Sequence, residues 1–123
     1  MTIADTDVLI DYLSGKGEAD EVERLMRLGS LRTTVISRFE LLSGAKTAKQ
    51  LGLMSQLLGG VPSLELDVAA ADAASEIRKA LEHSGNGIGM ADSLIAGIVV
   101  CNGGILLTRN RRHFERVEGI TLA

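Results

Sequence analysis

The sequence predicts an α/β fold, an α/β/α sandwich around a mainly parallel sheet of about four to five strands. Short apolar or β-branched runs alternate along the chain with longer stretches of helical periodicity, the order expected of strand–helix units. Ile105-Leu106-Leu107 is apolar at every position, as in a strand covered by helices on both faces. No repeat, low-complexity tract or linker interrupts the alternation.

The chain starts with Thr2-Ile3-Ala4, a strand end. At Asp5-Thr6-Asp7 it passes directly into a helix in which Val8, Leu9, Tyr12 and Leu13 recur at helical spacing, ended by Gly15-Lys16-Gly17. A second helix over 18–28 brings Val22, Leu25, Met26 and Leu28 into the same period and stops at Gly29. The β-branched content of 31–36 predicts a strand. Short helices are expected over 37–44 and 47–58, the second ended by Gly59-Gly60 and the lone Pro62, before 63–67 alternates like a short strand. Val68, Ala71, Ala74, Ile77 and Leu81 then keep a helical period from Val68 to His83. The loop Gly85-Asn86-Gly87-Ile88-Gly89 leads into a helix over 90–101, Gly103-Gly104 turns into the strand 105–107, and 119–122 is a last short strand.

At 123 residues the chain is one domain's worth of sequence, and its 46% hydrophobic and 24% charged content can bury a core. Aromatics are 2% with no Trp, so a platform that stacks bases on rings is poorly supplied. A net charge of -3 opposes gripping phosphate over the whole surface and leaves a local basic patch as the electrostatic route to nucleic acid. The single Cys101 allows no internal disulfide and, within Ile98-Val99-Val100-Cys101, reads as a small buried hydrophobe. There is no basic-then-apolar leader and no apolar segment near the roughly 18 residues of a membrane span, so a cytoplasmic protein is expected.

Acids placed just after strands are the residues to examine, because parallel sheets bind ligands at the carboxyl ends of their strands. Asp5 follows the first strand, Glu40 lies one helical turn past the second, and Asp92 sits in the first turn of the helix before 105–107. Asn110 lies just beyond that strand. Oxygen donors of this kind suit Mg²⁺ or Mn²⁺; with only His83, His113 and Cys101 as softer donors, a zinc site is unsupported. Each residue also has an ordinary local explanation. Ser37-Arg38-Phe39-Glu40 is a capping-box pattern, Asp5 or Asp7 suits an N-cap, Asp92 suits a helix first turn, and Asn110 suits a turn. Those local roles leave unexplained why the four side chains fall where a sheet edge would collect them.

Four blocks carry a family resemblance: Ala4-Asp5-Thr6-Asp7-Val8-Leu9-Ile10-Asp11-Tyr12-Leu13, Ser37-Arg38-Phe39-Glu40-Leu41-Leu42-Ser43-Gly44, Ala91-Asp92-Ser93-Leu94-Ile95-Ala96 and Leu107-Thr108-Arg109-Asn110-Arg111-Arg112-His113-Phe114. In order and approximate spacing they resemble PIN-domain ribonucleases, in particular the VapC toxins of toxin–antitoxin pairs. The resemblance covers essentially the whole chain, so 1–123 is expected to be one PIN-like nuclease domain. It implies that Asp5, Glu40, Asp92 and Asn110 are the catalytic set, with Asp5, Asp92 and Glu40 as ligands of Mg²⁺, for which Mn²⁺ is a substitute. The family varies between Asp and Asn at the last position, which leaves three carboxylates here. It often has an acid where His113 stands, and His113 is assigned no role.

The chemistry such a cluster suits is metal-assisted hydrolysis of an RNA phosphodiester. Arg38, Arg109, Arg111 and Arg112, with Arg116 nearby, are expected to form a phosphate-contacting rim. Thr6, Ser93 and Thr108, each beside a site residue, are candidate supporting hydroxyls, although capping is their ordinary use. The resemblance further implies a VapB-type antitoxin whose C-terminal segment lies over the acids, a homodimer, and a larger toxin–antitoxin complex. Leu25, Met26, Leu51, Leu53, Met54, Leu57 and Leu58 are compatible with a dimer surface, as they are with plain core. Two alternatives compete. One is a non-catalytic PIN-like binding or repressor subunit. The other is a haloacid-dehalogenase-like phosphohydrolase using Asp5-Thr6-Asp7, which lacks a suitably placed later Lys and acidic pair.

Overall fold

Successive residues of the central strands alternate between two apolar layers, as the two-residue period of a strand requires. In β1 (Thr2–Ala4) Ile3 enters one layer and Ala4 the other; in β4 (Ile105–Leu107) Leu106 and Leu107 divide in the same way. The Ala4–Leu107 layer is closed by α1 (Thr6–Leu13), α2 (Ala19–Arg27), α3 (Val35–Gly44) and α4 (Ala48–Gly60), which contribute Val8, Leu9, Val22, Leu25, Leu41, Leu57 and Leu58. The Ile3–Leu106 layer is closed by α5 (Val68–His83), α6 (Met90–Cys101) and the short α7 (Arg111–Phe114), through Leu81, Ile95, Ala96, Val99 and Phe114. The structure is a computed structural model describing residues 1–123.

The remaining strands are β2 (Leu31–Thr34), β3 (Ser63–Leu64) and β5 (Thr121–Leu122). The sheet has five strands in the order β3-β2-β1-β4-β5, every neighbouring pair parallel. The expected α/β sandwich is therefore present, with a sheet that is wholly parallel. The chain moves outward from β1 to β2 and β3, then returns to place β4 on the other side of β1. The carboxyl ends of β1 and β4 thus flank a topological switch point, where open α/β sheets form their binding crevice.

Several boundaries differ from expectation, each for a local reason. Val35 and Ile36 are helical although β-branched. Thr34 is the N-cap of α3, its hydroxyl accepting the Ser37 N–H at 3.1 Å, while Ile36 and Leu41 anchor the helix in opposite layers. Helix α4 runs through Gly59-Gly60 because Leu57, Leu58 and Val61 are buried there, and their burial outweighs the cost of about 1 kcal/mol per helical Gly. Strand β3 is shorter than the 63–67 expected, and α7 was not expected. Cys101 is exposed at the last position of α6, contrary to the buried role read from its apolar neighbours.

Of the seven apolar residues compatible with a dimer surface, Leu25, Leu57 and Leu58 are core, Met26 and Met54 pack against it, and Leu51 and Leu53 are exposed. No helix is long and apolar enough to cross a membrane. The turn into β4 is tight: Gly104 has φ of +79°, and a side chain there would run into the Gly119 carbonyl oxygen.

Candidate active site

Asp5 is the first residue past β1, and its backbone N–H bonds the Leu107 carbonyl of β4 at 2.9 Å. That bond seats the carboxylate at the switch point, where it is only 3% exposed. Oδ1 accepts the Thr6 N–H and Oδ2 the Thr108 hydroxyl, each at 2.8 Å. Capping and site roles coincide here, since Asp5 is also the N-cap of α1.

Thr6 ties a second acid to the first. Its Oγ1 lies 2.7 Å from Glu40 Oε1 and 2.9 Å from Ser37 Oγ. A carboxylate only accepts, so the single Thr6 proton points to Glu40, and Ser37 donates to the Thr6 oxygen. Ser37 is fully buried one turn before Glu40 on α3. The capping-box explanation of Glu40 falls, because Ser37 lies inside the helix and Thr34 is the cap.

Thr108 plays the matching part beyond β4. It donates to Asp5 and accepts the Asn110 N–H at 3.0 Å, so Asn110 is held to the same edge. Asp92, in the first turn of α6, is paired with His113 of α7, whose Nδ1 lies 2.5 Å from Oδ2. Burial pushes the Asp5 carboxyl above its ordinary value of 3.8, and the nearby charges of Asp92 and Asp7 push it further, against the lowering effect of the Thr108 and Thr6 bonds. Asp5, Glu40, Asp92 and Asn110 thus occupy one edge of the sheet. Ser93 is not part of this network; its hydroxyl bonds the Gly89 carbonyl one turn back.

The hydroxyl network carries a mutational expectation. Thr6→Val keeps the shape and removes the O–H that orients Glu40, so a reaction depending on Glu40 is expected to slow about 10–100-fold, the usual cost of losing a group that orients a functional side chain. Thermal melting and single-turnover rates, measured together, separate that loss from unfolding.

The donor set can be tested for a divalent ion. Neither Asp5 nor Glu40 has a basic side chain within ion-pair distance, so these two carboxylates have no cationic partner within the chain. No three His, Cys, Asp or Glu side chains come together closely enough to hold an ion between them, so Asp5, Asp92 and Glu40 do not form the three-carboxylate ligand set expected from the sequence. All-oxygen donors without a cage fit a hydrated Mg²⁺ or Mn²⁺, which keeps several waters and takes one or two carboxylates, and do not fit zinc.

The arginines divide. Arg109 reaches back to α1, with Nη2 3.6 Å from Asp7 and Nε 3.4 Å from Asp11, a carboxylate only 3% exposed. It therefore clamps the Thr108–Asn110 segment to α1 instead of standing free on a rim. Arg111 donates to the C-terminal carbonyl of Ala123 at 2.9 Å. Arg38 and Arg112 are exposed and have no carboxylate partner. The phosphohydrolase alternative loses its second acid as well, since Asp7 is turned toward Arg109 on the helix. Residue typing and position gave no signal for His113 or Asp11, whose partners are set only by the fold.

The PIN domain profile matches residues 2–120. A tRNA(fMet)-specific endonuclease VapC of Shigella flexneri is 28% identical over 120 residues, covering 94% of this chain and 91% of that protein. Among solved structures, a DNA-bound VapBC from Salmonella typhimurium superposes with a TM-score of 0.88 at 29% identity, covering 99% of this chain and 96% of its own. The VapBC2 of Rickettsia felis, bound to a promoter fragment, shares the fold with a TM-score of 0.86 at 20% identity. A five-stranded parallel sheet with acids gathered at its switch point and a profile match spanning nearly every residue lead to one conclusion: the chain belongs to the PIN domain family.

Proposed function

We propose that the chain is a Mg²⁺- or Mn²⁺-dependent endoribonuclease, the toxin of a VapBC-type toxin–antitoxin pair acting in the cytoplasm, with Asp5, Glu40, Asp92 and Asn110 as its working set. The observation that carries the reading is the hydrogen-bonded edge itself, where Thr6 joins Asp5 to Glu40 and Thr108 joins Asp5 to Asn110. The Shigella and Salmonella likenesses support the toxin assignment and a VapB-type antitoxin as partner.

Asp5 and Asp92 would hold the ion, with Glu40 beside them. When bound, the ion supplies a water acidic enough to act as hydroxide near neutral pH and offsets charge on the phosphate under attack. Thr6 and Thr108 keep the Asp5 carboxylate from rotating, so no reorganisation is needed when substrate arrives. Glu40, held through one oxygen by Thr6, presents the other to orient the attacking water and take its proton. The Asn110 carboxamide donates to a phosphate oxygen and cannot serve as a base. Arg38 and Arg112 contact flanking phosphates, which makes binding sequence-independent and salt-sensitive.

Purified protein incubated with a mixed RNA pool, including tRNA(fMet), tests the reading. Cleavage with Mg²⁺ or Mn²⁺ that stops on chelation is expected. Intact RNA in both metals would return weight to the non-catalytic subunit.

A further inference from the structure

We propose that Asp11 is a positioning residue for the reaction: enclosed by the Gly15-Lys16-Gly17 turn, its carboxylate holds Arg109, and Arg109 sets where the Asn110 carboxamide meets the substrate phosphate. That role rests on the nuclease reading above, and Asp11 reaches the site only through Arg109.

Asp11 lies on α1 with its side chain only 5% exposed, and Arg109 is its cationic partner, with Nε 3.4 Å from Oδ2. A buried carboxylate needs such a partner. Asp7 shares the guanidinium at 3.6 Å, but its side chain is 37% exposed and water screens that contact. The chain also closes over Asp11. The Lys16 N–H bonds the Asp11 backbone carbonyl at 3.0 Å, and Gly17, at φ of +60°, passes so near that a Cβ there would fall 2.6 Å from Oδ2. Glycine lets the turn seal the carboxylate in place, so Arg109 is held by an anchor that cannot swing with it.

Arg109 stands between two residues of the site. Thr108 donates to Asp5 at 2.8 Å and accepts the Asn110 N–H at 3.0 Å. With that attachment alone, residues 108–110 could pivot about the Thr108 hydroxyl. The guanidinium supplies a second attachment, on the same helix that Asp5 caps. Asn110 opens α7 without using its side chain as a cap, so the carboxamide is free for a phosphate and its direction follows the backbone that Arg109 holds. Misplacing a group that meets the substrate by even an ångström slows the chemical step.

Two glycines in one turn make a matched test. Gly15→Ala and Gly17→Ala both put a side chain at positive φ, +67° and +60°, and incur the same kind of backbone strain, but a Cβ at Gly15 meets nothing within 4 Å. Both are expected to melt lower. Only Gly17→Ala displaces the Asp11 carboxylate, and Asp11→Asn, which keeps the shape and removes the charge, should behave like it. In the metal-free protein, amide hydrogen exchange at Asn110, measured relative to the amides of α5, is expected to quicken about tenfold in these two variants and not in Gly15→Ala. Their kcat for RNA cleavage should fall about tenfold with KM unchanged. In an Asn110→Ala background, Asp11→Asn should cause no further loss of kcat. Wild-type exchange and kcat in folded Asp11→Asn, equal effects of Gly15→Ala and Gly17→Ala, or a further loss in the Asn110→Ala background would each overturn the proposal and leave the nuclease reading intact. Wild-type protein that cleaves no RNA would overturn the nuclease reading, and with it the role given to Asn110.

Discussion

Asp5→Asn is expected to abolish RNA cleavage and, in the same protein, to raise the melting temperature of the metal-free form. The first effect follows from losing a ligand to the ion, a contribution of several kcal/mol to the transition state and so about a thousandfold in rate. The second follows from the environment of the carboxylate. Burial raises its pKa in the folded chain above the ordinary 3.8, with Asp92 and Asp7 adding repulsion. A raised carboxyl stabilises the fold fully below the unfolded value and loses that contribution as pH rises through the folded value, so at neutral pH the ionised group opposes folding. Asparagine is neutral throughout and still accepts the Thr6 N–H. Its advantage should shrink as pH is lowered toward 3.8, where the wild-type group protonates too. About 1 kcal/mol would move the melting point of a chain this size by roughly 3–5 °C. Adding Mn²⁺ should raise the wild-type melting temperature and leave Asp5→Asn unmoved. A variant that melts lower at every pH would show that the Asp5 bonds outweigh its desolvation.

Gly97→Ala is expected to be severely destabilising despite being the smallest possible change. Gly97 lies in α6 where that helix crosses α5, and a Cβ built on it falls 2.7 Å from Ala74 Cβ and 2.8 Å from the Ala74 nitrogen, and strikes the Ala70 carbonyl oxygen. Backbone atoms cannot swing aside, so the helices must separate. Overpacking of this kind costs about 1–3 kcal/mol, at times more, and the melting temperature should fall by about 3–15 °C. Because Asp92 rides on the first turn of α6, the fraction that folds should also cleave more slowly. Gly52→Ala on α4, where a Cβ meets nothing within 4 Å, is the control, expected to be neutral or stabilising by up to about 1 kcal/mol. Equal behaviour of the two variants would refute the close-crossing explanation.

Where the residues signal both period and cap, the sequence is a good guide to the fold. Helix α5 spans Val68–His83 as its apolar spacing predicts, with Asp67 accepting the Ala70 N–H at 2.9 Å, and α6 and β4 fall where expected. The failures have physical causes. The β-branched pair Val35-Ile36 reads as strand until a cap at Thr34 and burial on both layers override propensity. A four-residue helix such as α7 is too short for any period to show. Cys101 has apolar neighbours in sequence but lies on the outward side of the last helical turn.

The same division holds at the site. Oxygen-bearing residues just past parallel strands are legible from type and position, and Thr6 and Thr108 link three of them, Asp5, Glu40 and Asn110. Contacts that depend on side-chain direction are not. Arg109 reads as a phosphate contact until α1 brings Asp7 and Asp11 to it from about 100 residues away. The Ser37–Thr6–Glu40 chain and the His113–Asp92 pair likewise join segments far apart in sequence.

The most direct test of the account is RNA cleavage by wild type and Asp92→Asn, purified side by side with Asp72→Asn, an exposed acid of α5 outside the site. Metal-dependent cleavage by wild type and Asp72→Asn, lost in folded Asp92→Asn, is the predicted result. Undiminished cleavage by Asp92→Asn would contradict the placement of the active site at this edge of the sheet.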